Sequence, residues 1–110
     1  ESTRQQKMAR LLQKEMGDIF EVEMRRLFPG TMITLTRVNV TKDLSIARFH
    51  ISIFALRGKK PAIDEIRDHI PEFRYKLGNK IAKQVRIIPQ LEFFEDDSLD
   101  YIENIDKLLK

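Results

Sequence analysis

The residues best suited to chemistry in this chain are a run of cations in its second half. Between residues 71 and 90 the only acid is Glu72. The cations there are Arg74, Lys76, Lys80, Lys83 and Arg86. Lys and Arg side chains bind phosphate oxygens, and a basic row along one predicted helix indicates a surface for a polyanion. The leading candidate polyanion is nucleic acid.

A second set of basic side chains lies on the polar side of the first predicted helix and in a short connection. These further candidate contacts are Arg4, Lys7, Arg10, Lys14, Arg57, Lys59 and Lys60. A charged helix face is usually only solvated, so this set ranks below the first.

Catalytic chemistry finds little support in the sequence. Only His50 and His69 could act as bases near neutral pH, and neither belongs to a Ser-His-Asp pattern. The absence of cysteine excludes disulfides, thiolate zinc sites and cysteine nucleophiles. The acids Glu95, Asp96, Asp97 and Asp100 lack the alternation and glycine of a calcium loop. We therefore expect no enzyme, no cofactor and no metal site.

Charge is distributed unevenly along the chain. Residues 1–55 carry a net charge of +3, residues 56–90 carry +5 and residues 91–110 carry −5. With 110 residues and 42% hydrophobic content, we expect one domain spanning 1–110. The chain has no apolar run long enough to span a membrane and no signal-like amino terminus, so we expect a cytoplasmic protein. It begins at Glu1 rather than Met, so we expect one or more residues to precede it.

Periodicity predicts the elements that position these side chains. Apolar residues at steps of three and four predict a helix over about 4–28, with a capping box at Ser2 or Thr3 and a stop at Pro29-Gly30. Two strands follow over about 33–40 and 47–53, with a bulge near Thr36 and a hairpin turn that contains Asp43.

The second half is predicted to hold two helices, a strand and a last helix. The helices cover about 62–69 and 71–81, separated at Pro71, with Phe73, Leu77 and Ile81 facing inward. We expect Tyr75 to be partly buried in the core and Phe94 to be a core residue. An edge strand over 87–94 and a helix that begins at Asp97 or Ser98 complete the chain.

This order, αββααβ with a further carboxy-terminal helix, is that of a type II KH domain. We expect an α+β fold with a three-stranded sheet and helices on one face. A GXXG loop, which clamps phosphates in ordinary KH modules, is missing, since Gly58 and Gly78 are isolated.

Two separate motifs carry a family resemblance. Residues 38–52 resemble the V-x-V-[ST]-x-D-L-x-x-A-x-[VF] pattern of ribosome-binding factor A. Residues 74–78, 86–93 and 96–99 resemble its carboxy-terminal signature, R-x-x-L…R-x-x-P-x-L-x-F…D-x-S. The Gln84-x-Arg86 spacing and residues 100–106 resemble members from Bacteroidetes-type bacteria. One departure is that Pro71 and Phe73 stand where the family usually has an Ala-x-Gly kink.

The resemblance implies a non-catalytic assembly factor of the small (30S) ribosomal subunit. Such a factor binds the 16S rRNA precursor during late maturation and rRNA processing and is important in cold adaptation. The family's basic surface maps onto Arg74, Lys76, Lys80, Lys83 and Arg86, and we expect a monomer that binds no membrane. Two alternatives stay open: a general single-stranded RNA-binding KH module, and a basic module that docks an acidic protein partner.

Overall fold

A computed structural model describes residues 1–96 as three helices and three strands. In chain order these are α1 (Thr3–Leu27), β1 (Thr31–Val40), β2 (Ile46–Ala55), α2 (Ile63–Arg67), α3 (Ile70–Ile81) and β3 (Gln90–Glu95). The predicted α+β class, the αββααβ order and the three-stranded sheet are confirmed. The predicted helix from Asp97 or Ser98 lies outside the described residues.

Helix α1 begins and ends where the local sequence predicts. The Ser2 hydroxyl accepts a bond from the Gln5 N–H (3.2 Å), and the Gln5 side chain accepts one from the Ser2 N–H (2.9 Å). This capping box satisfies two of the donors that a helix start leaves free. After the helix, Gly30 adopts a φ of +83°, and a Cβ there would lie 2.9 Å from Cγ of Arg57. Glycine is therefore required both by the turn and by the close approach of Arg57.

The sheet has the strand order β1-β2-β3, with β1 and β2 antiparallel and β2 and β3 parallel. The register of β1 against β2 shifts between Leu35 and Arg37, which confirms the predicted bulge. In the turn between these strands, Oδ1 of Asp43 accepts bonds from the Ser45 N–H (3.1 Å) and hydroxyl (2.7 Å). The predicted role of Asp43 in the hairpin is thereby confirmed.

One face of the sheet is covered by the helices, and the core lies between them. From β2, alternate residues from Ala47 to Ile53 point into this core, as the pattern of a half-buried strand predicts. From α3, Phe73, Leu77 and Ile81 are fully buried, as predicted from their spacing.

Two aromatic predictions were wrong. Tyr75 is 72% exposed, because it lies on the side of α3 opposite the row from Phe73 to Ile81. Phe94 is 37% exposed, because its neighbour Phe93 takes the inward position and successive strand residues point to opposite faces. The Phe94 ring instead stacks on His50 on the uncovered face of the sheet, with ring centroids 5.6 Å apart.

Two boundaries also differ from the prediction. Helix α2 is confined to Ile63–Arg67, and a turn at Asp68 and His69 separates it from α3. Strand β3 begins at Gln90 rather than residue 87. Pro89 has no N–H to donate, and the carbonyls of Ile88 and Pro89 accept bonds from Arg74 instead of entering the sheet ladder.

Candidate nucleic-acid interface

The basic row predicted on α3 lies against acids of α1. Nζ of Lys76 is 3.3 Å from Oε2 of Glu23, and Nζ of Lys80 is 3.9 Å from Oε2 of Glu15. Both lysine side chains remain about two-fifths exposed, at 39% and 41%. They can therefore reach a partner, but each carries a charge that is partly compensated within the protein.

Glu23 organises the contact between the two helices. Its residue is only 7% exposed, and Oε1 lies 2.7 Å from Nη2 of Arg26, which also reaches Glu72 at 2.9 Å. The hydrogen bond from Arg26, together with Lys76, holds the pKa of Glu23 below its usual value despite partial desolvation. This carboxylate thus links α1 to α3 directly through Lys76 and indirectly through Arg26.

We expect replacement of Glu23 by Gln to weaken the acid sensitivity of the fold. Because the pKa of Glu23 is lower in the folded protein, its carboxylate adds stability above its unfolded pKa of about 4.3, and this contribution is lost as the pH falls through the folded value. Urea unfolding from pH 7 to 3.5 should give a flatter stability profile below about pH 4.5 for Glu23→Gln than for wild type. Glu21→Gln, an exposed position on the same helix, is the control. Equal acid sensitivity of Glu23→Gln and wild type would contradict the assignment.

Arg74 has a structural contact that the sequence did not indicate. Its Nε donates to the carbonyl of Pro89 (3.0 Å), and its Nη2 donates to that of Ile88 (2.8 Å). These bonds tie α3 to the start of β3. The guanidinium therefore holds the segment after α3 in place, and its remaining donors are available to solvent.

Several cations among residues 1–96 have no ion pair, and they are not the same residues as the predicted row on α3. From the first predicted group this set includes Arg74, Lys83 and Arg86, and from the second it includes Arg4, Lys7, Arg10, Arg57 and Lys59. Lys14, by contrast, lies 3.0 Å from Glu15. Arg4, Lys7 and Arg86 line one groove, although Arg86 is far from the other two in the sequence.

The remaining predicted contacts lie at the other end of the molecule. The side chain of Arg57 crosses Gly30, just beyond the end of α1, and Lys60 pairs with Glu95. The Gln5 side chain bonds the carbonyl of Val40, which places the start of α1 at the opposite end of the β1-β2 ribbon. A helix of 25 residues is about 38 Å long, so the structure does not bring Arg57, Lys59 and Lys60 together with the groove.

The histidines have packing roles. The His69 ring packs on Phe28 and Phe73, with centroids 5.8 and 6.2 Å away, and His50 stacks on Phe94. Burial and the nearby Arg37 lower the pKa of His50, which favours its neutral form. Among residues 1–96, no group of three His, Asp or Glu side chains is arranged to hold a metal ion. Over the same range, no helix is long and apolar enough to cross a bilayer.

Comparison with known families decides the relationship of this chain. The sequence model of the family described as ribosome-binding factor A matches residues 4–109. The chain belongs to the ribosome-binding factor A family. The resemblance in the two motifs is therefore confirmed, and the family is one of binding factors rather than known enzymes.

Relatives from Bacteroidetes confirm the resemblance to Bacteroidetes-type members of the family. Ribosome-binding factor A of Cytophaga hutchinsonii is 47% identical over 109 residues, covering 99% of this chain and 82% of the relative. That of Christiangramia forsetii is 37% identical over 111 residues, covering 100% of this chain and 85% of the relative.

Solved family members share the fold. The crystal structure of ribosome-binding factor A from Thermus thermophilus aligns with a TM-score of 0.60 at 21% identity, covering 83% of this chain and 94% of that one. A homology model of the Thermus thermophilus factor, fitted into a cryo-EM map of a 30S–RbfA complex, aligns with a TM-score of 0.58 at 22% identity, covering 79% and 89%.

Proposed function

We propose that this protein is a non-catalytic factor that binds the small (30S) ribosomal subunit and its 16S rRNA precursor during late maturation and rRNA processing. The observation that carries the proposal is family membership over residues 4–109, together with the Thermus thermophilus relative that was fitted into a 30S complex. We further propose that it acts in the cytoplasm as a single-domain monomer and supports growth in the cold.

We assign RNA binding to the predicted basic residues of the first group. They differ in how far neighbouring acids compensate their charge. Lys83 and Arg86 have no ion pair among residues 1–96, so their full charges can neutralise phosphates. Lys76 and Lys80 must share their charge with Glu23 and Glu15. Arg74 supports the surface by holding the segment that carries Arg86. The mechanism is occupancy: the factor holds unfinished RNA in one arrangement and leaves when maturation is complete.

Co-sedimentation with immature small subunits tests the proposal. The wild-type protein should sediment with them, and a variant with Lys76, Lys80 and Lys83 changed to Gln should bind at least about tenfold more weakly, since three phosphate contacts lose their charge. Glutamine is preferred to glutamate because a new acid would stand opposite Glu23 and Glu15. The control changes Arg25, Arg37 and Arg48 to Gln, which removes the same charge away from α3.

The outcomes separate the alternatives. Failure of the wild-type protein to bind small subunits would overturn the proposed function. Equal affinity for subunits and for short unstructured RNA would favour a general KH module. Binding that survives removal of the RNA but not of the subunit proteins would favour an acidic protein partner. Full retention of binding by the triple Gln variant would mean that α3 is not part of the interface.

A further inference from the structure

The groove between the start of α1, the β1-β2 turn and the segment after α3 has the make-up of a ligand site. Its volume of about 810 Å³ falls in the range of small-ligand pockets, roughly 300–1,000 Å³. Three bonds shape it: Gln5 to the carbonyl of Val40 (2.9 Å), and the N–H groups of Gln84 (2.8 Å) and Val85 (3.2 Å) to that of Ile81. The bond from Gln5 joins distant elements, and the two bonds to Ile81 fix the turn that follows α3.

The lining of this groove divides into an apolar floor and a cationic rim. The floor is made of Met8, Leu11, Leu44, Val85 and Ile87. Among residues 1–96, the rim carries Arg4, Lys7 and Arg86 against a single acid, Asp43. The carboxylate of Asp43 accepts bonds from Thr41 and Ser45 and keeps its negative charge, which leaves three cations against one anion. The groove thus combines an excess of positive charge with apolar surface.

Two residues of the floor are unusual for an ordinary solvated surface. Ile87 is 69% exposed beside Arg86. Leu44 has a φ of +64°, a left-handed conformation that is strained for a branched aliphatic residue, at the position where its N–H closes the turn on the carbonyl of Thr41 (2.9 Å). That conformation places an aliphatic side chain in the groove, where glycine or asparagine would have relieved the strain.

A nucleotide of single-stranded RNA matches both halves of this lining. Its phosphates complement Arg4, Lys7 and Arg86, and an unstacked base offers an apolar face to Leu44 and Ile87. A paired base cannot present that face, because it is stacked within the helix. The site also differs from the position of a KH phosphate loop, because the α2-α3 turn at His69 packs on Phe28 at the far end of α1.

We propose that this groove binds an unpaired nucleotide of the RNA partner, with Arg4, Lys7 and Arg86 on its phosphates and with Leu44 and Ile87 against its base. This inference rests on the proposed function, since it takes the partner to be RNA. It adds a site for a single-stranded segment that is separate from the lysine row of α3.

Fluorescence anisotropy with labelled octauridylate, an unstructured RNA, tests the rim. Changing Arg4, Lys7 and Arg86 to Gln should weaken binding at 0.1 M salt by at least about 30-fold. The slope of log affinity against log salt should become shallower by about 2, because each single-strand contact contributes about 0.7. Arg10→Gln, on the same helix but outside the groove, is the control. It should weaken binding by no more than the loss of one positive charge does, a factor of about 2 to 5.

A second variant tests the floor without touching the charge. Ile87→Ser should weaken octauridylate binding about fivefold through lost apolar contact, with an unchanged salt slope and with unchanged affinity for duplex RNA. Val22→Ser is the matched control, since Val22 is also exposed (64%) but lies on α1 outside the groove. Its affinity should equal that of the wild type.

The outcomes distinguish this inference from the proposed function. If wild type binds small subunits but fails to bind octauridylate at low salt, the groove is not a single-strand site and the function stands. The same conclusion follows if the rim and floor variants bind octauridylate like the wild type. It also follows if these variants lose only their binding to the subunit, which would mean that the groove contacts a ribosomal protein. If wild type binds octauridylate but not the subunit, the function fails and the groove remains.

Discussion

Phe93→Ala should lower the free energy of unfolding by about 3–5 kcal/mol. Phe93 is 1% exposed, and its ring centroid lies 5.7 Å from that of Phe20, 5.6 Å from Phe49 and 5.8 Å from Phe73. These rings come from α1, β2 and α3, so truncation opens a cavity where the helical layer meets the sheet. Urea unfolding at pH 7, followed by circular dichroism, gives the difference directly.

Phe94→Ala is the matched control for this measurement. The residue is the next one along β3, is 37% exposed and stacks on His50 on the uncovered face. Its truncation should cost about 1–2 kcal/mol, less than that of Phe93, because over a third of the residue is already in water and its loss leaves no enclosed cavity. Equal destabilisation by the two substitutions would mean that the core is not organised around Phe93.

Binding of the small subunit should depend steeply on salt. Six phosphate contacts predict a slope of log affinity against log salt of roughly −4 to −5, so affinity should fall by about 500-fold between 50 and 200 mM KCl. The dissociation constant would be measured at several KCl concentrations with Mg²⁺ held fixed, which keeps the subunit intact. A slope near zero would contradict a phosphate-dominated interface.

Single-charge variants make this measurement specific to the interface. Lys83→Gln and Arg86→Gln should each make the slope shallower by about 0.7 to 0.9, because each loses one phosphate contact. Arg48→Gln should leave it unchanged, since Arg48 lies on the uncovered face of the sheet and pairs with Glu92 at 3.0 Å. An equal change for all three variants would indicate only an effect of net charge.

The local structure of this protein could be predicted where one periodic signal dominates. Helix α1, the inward row from Phe73 to Ile81 and the alternation of β2 follow from spacing alone, because burial requires apolar residues on one side of each element. The bulge near Thr36 followed from the phase change in β1, and the hairpin followed from Asp43. Each of these depends on residues close together in the sequence.

The errors arose where a residue's surroundings come from a distant element. Tyr75 and Phe94 are large and apolar, yet Phe73 and Leu77 on α3 and Phe93 on β3 take the inward positions. Charge pairing was missed for the same reason: nothing within 71–90 indicates that Lys76 meets Glu23 or that Lys80 meets Glu15. The acids that compensate these lysines are on a helix about fifty or more residues earlier.

The sequence by itself determined the family, the element order and the excess of positive charge, because motifs, periodicity and charge are properties of the chain. Only the tertiary structure decided which cations keep their full charge and which of them meet. Arg4, Lys7 and Arg86 lie around one groove because α1 packs beside the end of α3, with its start at the β1-β2 turn. Electrostatic attraction depends on distance in space, and that distance is set by packing rather than by position in the chain.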